Sequence, residues 1–445
     1  MSNEHRGNYT VGDRTRIMTV LSIPLAAVAA IVLMSGDAFA ASGPIDSGST
    51  AWIGIATALV FIMTPGVAIF YGGMLRKQSM TSMMAQTMIV VAIMTLSWVI
   101  VGYTLAFGGD GTVIGGFDNI LLHGITYEDV TDGGIPQLEF VIFQCSFSLI
   151  TAAIVVGACA ERVRFNAIAI FLCIWSVVVY APMAHWVWGG GLFDEYLTVL
   201  DFAGGTVVHI CAATSGLALA LFVGRRSDRV LKDRAHNLPL VFIGFALLWF
   251  GWLGFNGGSG LAADGIMVNA MLVTQISMAT AMAVWAIIQY LHVGHIGVLG
   301  LISGGVTGLV AITPAAGYVD ASSAIIIGGV CAPVCYFGVY FMRKKSGIDD
   351  ALDVFGIHGI GGIWGSIATG IFALEAMGGK PGLIEGSFDL LIGQTAAAAL
   401  TLVYCFAASY LIIWLISKFM SVRLSEDEEA IGADITEHGE MSYIL

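Results

Sequence analysis

Hydrophobic positions in this chain do not alternate with polar ones. They run together in long blocks separated by short polar connections. After an initial apolar run at 17–34, eleven further blocks lie near 51–75, 80–107, 137–160, 165–184, 203–224, 238–256, 265–290, 296–313, 321–342, 352–374 and 388–419. At about 1.5 Å of rise per residue, roughly 20 residues cross the hydrocarbon core, so the blocks predict an all-α polytopic membrane protein with eleven spans. Composition agrees: 57% of the 445 residues are hydrophobic and 11% charged, against about 25% charged in soluble domains. The net charge of −13 repels phosphate backbones, so no nucleic-acid partner is expected. All seven cysteines fall inside apolar blocks, as packing residues rather than disulfide frameworks.

The first 40 residues read separately. Arg14 and Arg16 precede the apolar run Ile17–Met34, and Ala38-Phe39-Ala40 ends it in a small-x-small site. This pattern predicts a secretory signal peptide over 1–40, the alternative being a first transmembrane helix that stays in place.

Cations then set the orientation. Fourteen of the fifteen Lys and Arg beyond the leader lie in alternate connections or at the C-terminal end; Lys380 alone falls on the other side. By the positive-inside rule the fourteen are cytoplasmic, the mature N-terminus is outside and the C-terminus inside. The opposite face carries Asp110, Asp118, Glu128, Asp129, Asp132, Asp194 and Glu195. Such an entrance favours cations, and solvated loop charge is the alternative. Beyond the last span, Ser425-Glu426-Asp427-Glu428-Glu429 opens a polar tail, which by composition is a solvated segment or, less commonly, a docking tail.

Ionisable groups inside the apolar blocks carry the chemistry. His209 and His358 each sit in a Gly-rich span a few residues after an Asp, Asp201 and Asp353. A charge at the bilayer centre costs at least about 2.5–3.5 kcal/mol, so two such groups point to a pathway. His185, His292 and His295 lie near span ends and read as interfacial. The rings Trp186, Trp188, Trp252 and Phe255 read as an interfacial belt, with a cation entrance as the alternative. No G-x-x-x-x-G-K-[ST], no mid-membrane lysine and no G-x-S-x-G is present. Nothing therefore implies an enzyme or a cofactor.

The stretches MTPGVAIFYGGMLRK (63–77), FVIFQCSFSLI (140–150), IVVGACAERVRF (154–165), AHWVWGGG (184–191), DFAGGTVVH (201–209), LLWFGWLGFNGGSG (247–260), DVFGIHGIGGIWG (353–365) and EEAIGADITEHGEMSY (428–443) closely resemble the ammonium transporter family of the Amt/Rh superfamily, bacterial type. The resemblance implies two inverted five-helix repeats plus a long eleventh helix, assembled as a homotrimer in the cell inner membrane. It further implies a transmembrane domain over 41–420 and a cytoplasmic regulatory tail over 421–445 that contacts a PII-type signalling protein, with the 225–234 loop as a second surface.

Carried over residue by residue, Phe147, Trp188 and Ser259 form an outer site that recruits ammonium. Phe147 and Phe255 close the pore, with Phe143 nearby; Asp201 orders the site, and His209 and His358 line the pore. A dry pore of this kind rejects any ion that keeps its charge, whereas ammonium can give up a proton and pass as ammonia. Net transport is then expected to be electrogenic. The alternatives are an ammonium sensor signalling through the tail, or a neutral-gas channel of the Rh type. Rise counting places each histidine about 9 Å from the start of its span and does not bring the two together; their contact is implied by the resemblance.

Overall fold

A computed structural model describes residues 43–227, 230 and 235–443. The signal peptide expected over 1–40 lies outside the described residues. Among these the chain is all-helical, with no β-strand. Ten helical stretches among the described residues are long and apolar enough to cross a membrane: α1 Ser47–Met74, α2 Lys77–Phe107, α3 Gln137–Gly157, α4 Phe165–Tyr196, α5 Gly205–Val223, α6 Leu238–Gly258, α7 Gly265–Val293, α9 Ala321–Ser346, α10 Phe355–Phe372 and α11 Asp389–Ser417. Between α7 and α9 lies α8, Val298–Ile312, apolar but only 15 residues long.

Helix starts follow the expected capping chemistry, in which a short polar side chain accepts from a first-turn N–H that has no intrahelical partner. Asp46, Asn237, Asp264 and Asp320 cap α1, α6, α7 and α9 in this way. Because lipid provides no hydrophobic drive between helices, close contact depends on small residues. Helices α1 and α6 show it: a Cβ on Gly244 would come within 2.4 Å of the backbone nitrogen of Phe70. The core runs through α1, α3, α5 and α6, where Val60, Phe143, Leu149, Val155, Val207 and Val241 are fully or almost fully buried. Ile55, Met88, Leu272 and Val403 are exposed apolar side chains on helix flanks, as a lipid-facing surface requires.

The tail is folded rather than merely solvated. Ser425 and Glu428 form a capping box that starts α12, Glu426–Ile431. Acids of the tail then satisfy N–H groups of other elements: Asp434 accepts from Ser82 N (2.7 Å) in α2, and Glu437 from Phe165 N (2.8 Å) at the start of α4. Neither start has a side-chain cap of its own. Glu429, fully buried, accepts from Ser227 N (3.0 Å) and pairs with Arg423 (2.8 Å). Local composition favours a solvated run; of the arginines that overturn it, Arg423 is a near neighbour and Arg76 and Arg164 come from distant connections.

Beside the tail lies a second ionic cluster. Arg226 bridges Glu161 (2.6 Å) and Asp349 (2.7 Å), and Glu161 also holds Arg76 (3.1 Å). Burial alone would raise Asp349, but the Arg226 guanidinium, followed by Arg162, outweighs it and holds the carboxyl at about 2. This end of the bundle is called the basic face below, and the end bearing Asp110, Asp118 and Glu128 the acidic face.

Candidate functional site

Helix α5 begins on an aspartate. The Asp201 carboxylate accepts from the backbone N–H of Gly204 (2.9 Å), Gly205 (2.6 Å), Thr206 (2.8 Å) and Val207 (3.4 Å), and from the Thr206 hydroxyl. Gly204 has φ +110°, a backbone that side-chain-bearing residues rarely adopt. Burial pushes the Asp201 carboxyl up, and these donors pull it back. The Asp201 carbonyl in turn accepts from Trp188 Nε1 (2.8 Å), so one residue fixes both the helix start and the indole.

From Trp188 a file of rings runs inward. Phe147 meets Trp188 edge-on (centroids 5.8 Å, 90°) and stacks on Phe255 (4.3 Å, 28°), while Phe143 touches Phe147 at 5.0 Å. Phe255 lies 6.2 Å from His209, and His209 faces His358 with the two Nδ1 atoms 3.2 Å apart. Phe143, Phe147, Phe255 and His209 are at most 1% exposed, His358 7%. Ser259 ends α6, and its hydroxyl donates to Phe255 O (2.8 Å), leaving its lone pairs available to accept.

Rise counting had left the histidines apart because it started both helices at the membrane surface. Here α5 and α10 begin inside the protein on buried aspartates, and their first turns, Gly205–Ile210 and Phe355–Gly359, are π-wound. A cavity of about 20 Å³ lies between the rings, lined by His209, His358, Phe255, Val67, Ile154 and Leu248 among others. That is room for one water-sized molecule. His209 Nε2 is buried with no hydrogen-bond partner. A larger groove of about 510 Å³ between α6, α7 and α8 has only apolar lining and offers an ion nothing.

Three sequence expectations are corrected. Trp252 is not a belt residue: it is 2% exposed, stacks on His209 (5.4 Å, 22°) and donates to Thr313 Oγ1 (2.9 Å). His185 is not interfacial but buried, its ring nitrogens set against the carbonyls of Ala106 (2.9 Å) and Gly111. The aspartate serving His358 is Asp350, not Asp353. Asp350 accepts from Val354 N (3.0 Å), Phe355 N (2.7 Å) and Gly356 N (3.4 Å), whereas Asp353 binds Arg343. Equal spacing was the available signal: eight residues separate Asp201 from His209 and Asp350 from His358. Below Asp350 a vestibule of about 950 Å³ opens at the basic face.

Buried helix starts, a file of packed rings and a small cavity beside two imidazoles fit a polytopic membrane protein that transports a small solute. Residues 51–443 match the Ammonium Transporter Family, and the chain belongs to that family. It is 44% identical over 400 residues to the ammonium transporter of Bacillus subtilis, covering 89% of this chain and 98% of the relative. Among solved structures it superposes on Saccharomyces cerevisiae Mep2 with a TM-score of 0.80 at 30% identity, over 88% of this chain and 96% of the other. A structure described as a Sensor Amt Protein matches at 0.82 and 27% identity, over 88% and 98%.

Proposed function

We propose that this protein transports ammonium by binding it at the acidic face, stripping one proton and passing ammonia between His209 and His358. The continuous file Trp188–Phe147–Phe255–His209–His358, ending in a cavity for one small molecule, is the observation that carries the reading.

Trp188 and Phe147 present ring faces and edges at the mouth, and a cation over such a face gains about 0.5–2 kcal/mol. The Ser259 hydroxyl, its proton engaged by Phe255 O, accepts from the ammonium. Beyond it the stacked Phe147 and Phe255 rings, with Phe143 behind, leave no polar partner for a charged ion. An uncompensated charge there costs far more than the aromatic site returns. Potassium, similar in size, has no proton to lose and stops at this point. Ammonia continues as a neutral hydrogen-bonding molecule. At 3.2 Å the two Nδ1 atoms share one proton, one ring donating and the other accepting, so the outward-facing nitrogens meet the substrate in defined states. Asp201 supports the site without touching the ion. Carriage of the released proton across the membrane makes net transport electrogenic.

Orientation follows the positive-inside rule: the basic face is cytoplasmic and the acidic face outside, in the cell inner membrane. The paired caps of Asp201 and Asp350 support an arrangement of eleven spans with α1–α5 and α6–α10 as inverted repeats. The assembly that goes with this reading is a homotrimer, as the family resemblance implies. The folded tail, 423–443, is the surface offered to a PII-type protein; the 225–234 connection expected beside it falls mostly outside the described residues.

The experiment is current recorded from protein-containing liposomes after ammonium and potassium pulses. Ammonium current without potassium current is expected. Ammonia flux without current would favour a neutral-gas channel, and no ammonium signal beside proven uptake of another solute would remove the transport reading.

A further inference from the structure

The two aspartate caps are equivalent in position but not in surroundings. Aligned on the histidines, Asp350 matches Asp201, Asp353 matches Gly204 and Phe355 matches Thr206. Positions 204 and 353 both have positive φ, +110° and +55°, so the turn itself is retained. An aspartate tolerates a left-handed backbone better than most residues, and this one is tied to Arg343 Nε at 2.7 Å. The basic-face copy therefore places a carboxylate three residues from the cap where the other copy has glycine. It also lacks the threonine hydroxyl that gives Asp201 an additional donor. Both differences disfavour negative charge on Asp350 relative to Asp201. Asp350 lines the 950 Å³ vestibule, so water on the basic face has access to it.

Several charged or titratable groups face Asp350. Asp353 and, beyond it, Arg343 stand on the α9–α10 side; Tyr71 comes from α1; Cys159 and Arg162 come from the α3–α4 connection. Neighbouring Asp349 is occupied by Arg226, and Arg225, Lys344 and His295 line the same vestibule. Burial, reinforced by the Asp353 charge, raises the Asp350 carboxyl to about 7, with the three backbone N–H groups acting the other way.

We propose that Asp350 is a positioning residue for transport: as a carboxylate it holds the first turn of α10 and with it the ring of His358, and protonation from the basic-face vestibule releases that turn and slows conduction. The step is a single proton transfer, from vestibule water to one carboxylate oxygen. The new O–H is a donor set against the backbone N–H groups that the oxygen had accepted from. The carboxylate is regained when the pH on that face rises through the midpoint. Asp201, held by four backbone N–H groups and a hydroxyl, has glycine where Asp350 has the neighbouring Asp353.

This inference rests on the histidine pair being the conducting site, and the test separates the two. Current is measured in liposomes whose two sides are buffered independently, with protein orientation read from protease access to the tail. Between pH 8 and 6 on the basic-face side, the wild-type current is expected to fall about tenfold with a midpoint near 7. The same change on the other side has less effect. Asp350→Asn gives a low rate that does not change with basic-face pH. Asp353→Asn keeps a residue that accepts the left-handed turn but removes the like charge, so the midpoint moves about one unit towards acid. Phe355→Thr, which supplies the missing hydroxyl, moves it the same way. Should Asp350→Asn fail to fold, the shifts in the other two variants decide. An Asp350→Asn protein with the wild-type pH profile, or unshifted midpoints in both Asp353→Asn and Phe355→Thr, overturns the proposal. Absence of ammonium current in the wild type at every pH overturns the transport reading instead.

Discussion

Replacing Asp201 by Asn changes one atom and tests the acidic-face half of the site. The Asp201 Oδ1 atom accepts from two N–H groups and Oδ2 from two more and a hydroxyl. In Asn one acceptor becomes an NH2 that faces donors. If the remaining oxygen keeps Gly204 and Gly205, the Thr206 N–H and hydroxyl lose their acceptor, at about 1–3 kcal/mol each. Loss of the charge at the helix N-terminus adds about 1–2 kcal/mol in a buried setting. The sum, about 3–8 kcal/mol, falls on the turn that carries His209 and on the carbonyl that anchors Trp188. With 1.4 kcal/mol per factor of ten, even the lower figure predicts a loss of transport of about 100-fold. Thr206→Val removes only the hydroxyl bond and should cost about tenfold or less. The assay is initial ammonium current per assembled protein, with solubility and melting temperature measured on the same preparation. Asp201→Asn protein that transports within twofold of wild type would refute the capping argument.

Other expectations are more local. Trp188→Leu removes a cation–π face worth about 0.5–2 kcal/mol, so the half-saturating ammonium concentration should rise roughly 2–30-fold with the maximal rate little changed; a fall in maximal rate alone would contradict a binding role. His209→Ala enlarges a cavity of about 20 Å³ enough to admit further water. The potassium-to-ammonium current ratio should then rise while the folded yield persists, and parallel loss of yield and transport would speak against a pore role. Asp349, held at about 2 by burial offset by Arg226 and Arg162, contributes stability that is present above its ordinary value near 4 and is lost as pH falls through about 2. Its pairing should thus leave the melting temperature unchanged between pH 8 and 5, and Asp349→Asn should lower it equally at both.

What the sequence by itself determined was whatever is local or periodic. Unbroken apolar blocks gave the helices, because a backbone in lipid must satisfy its own hydrogen bonds. The motifs gave the family and the file of rings, and two buried histidines announced a pathway. Short-range logic failed where a partner lay far along the chain. The acidic run at 425–429 looked solvated because the groups that hold it, Arg76 on the Glu429 carbonyl and Arg164 on the Glu428 carboxylate, are hundreds of residues away. Asp353 looked like the partner of His358 because it was nearer; only folding showed its carboxylate turned to Arg343 and Asp350 under the helix. Trp252 looked interfacial by its position near a span end, yet it stacks on His209 from a different helix. Tertiary structure also decided the contact of His209 with His358. Rise along a helix measures depth from its first residue, and only packing fixes how deep in the protein that first residue lies.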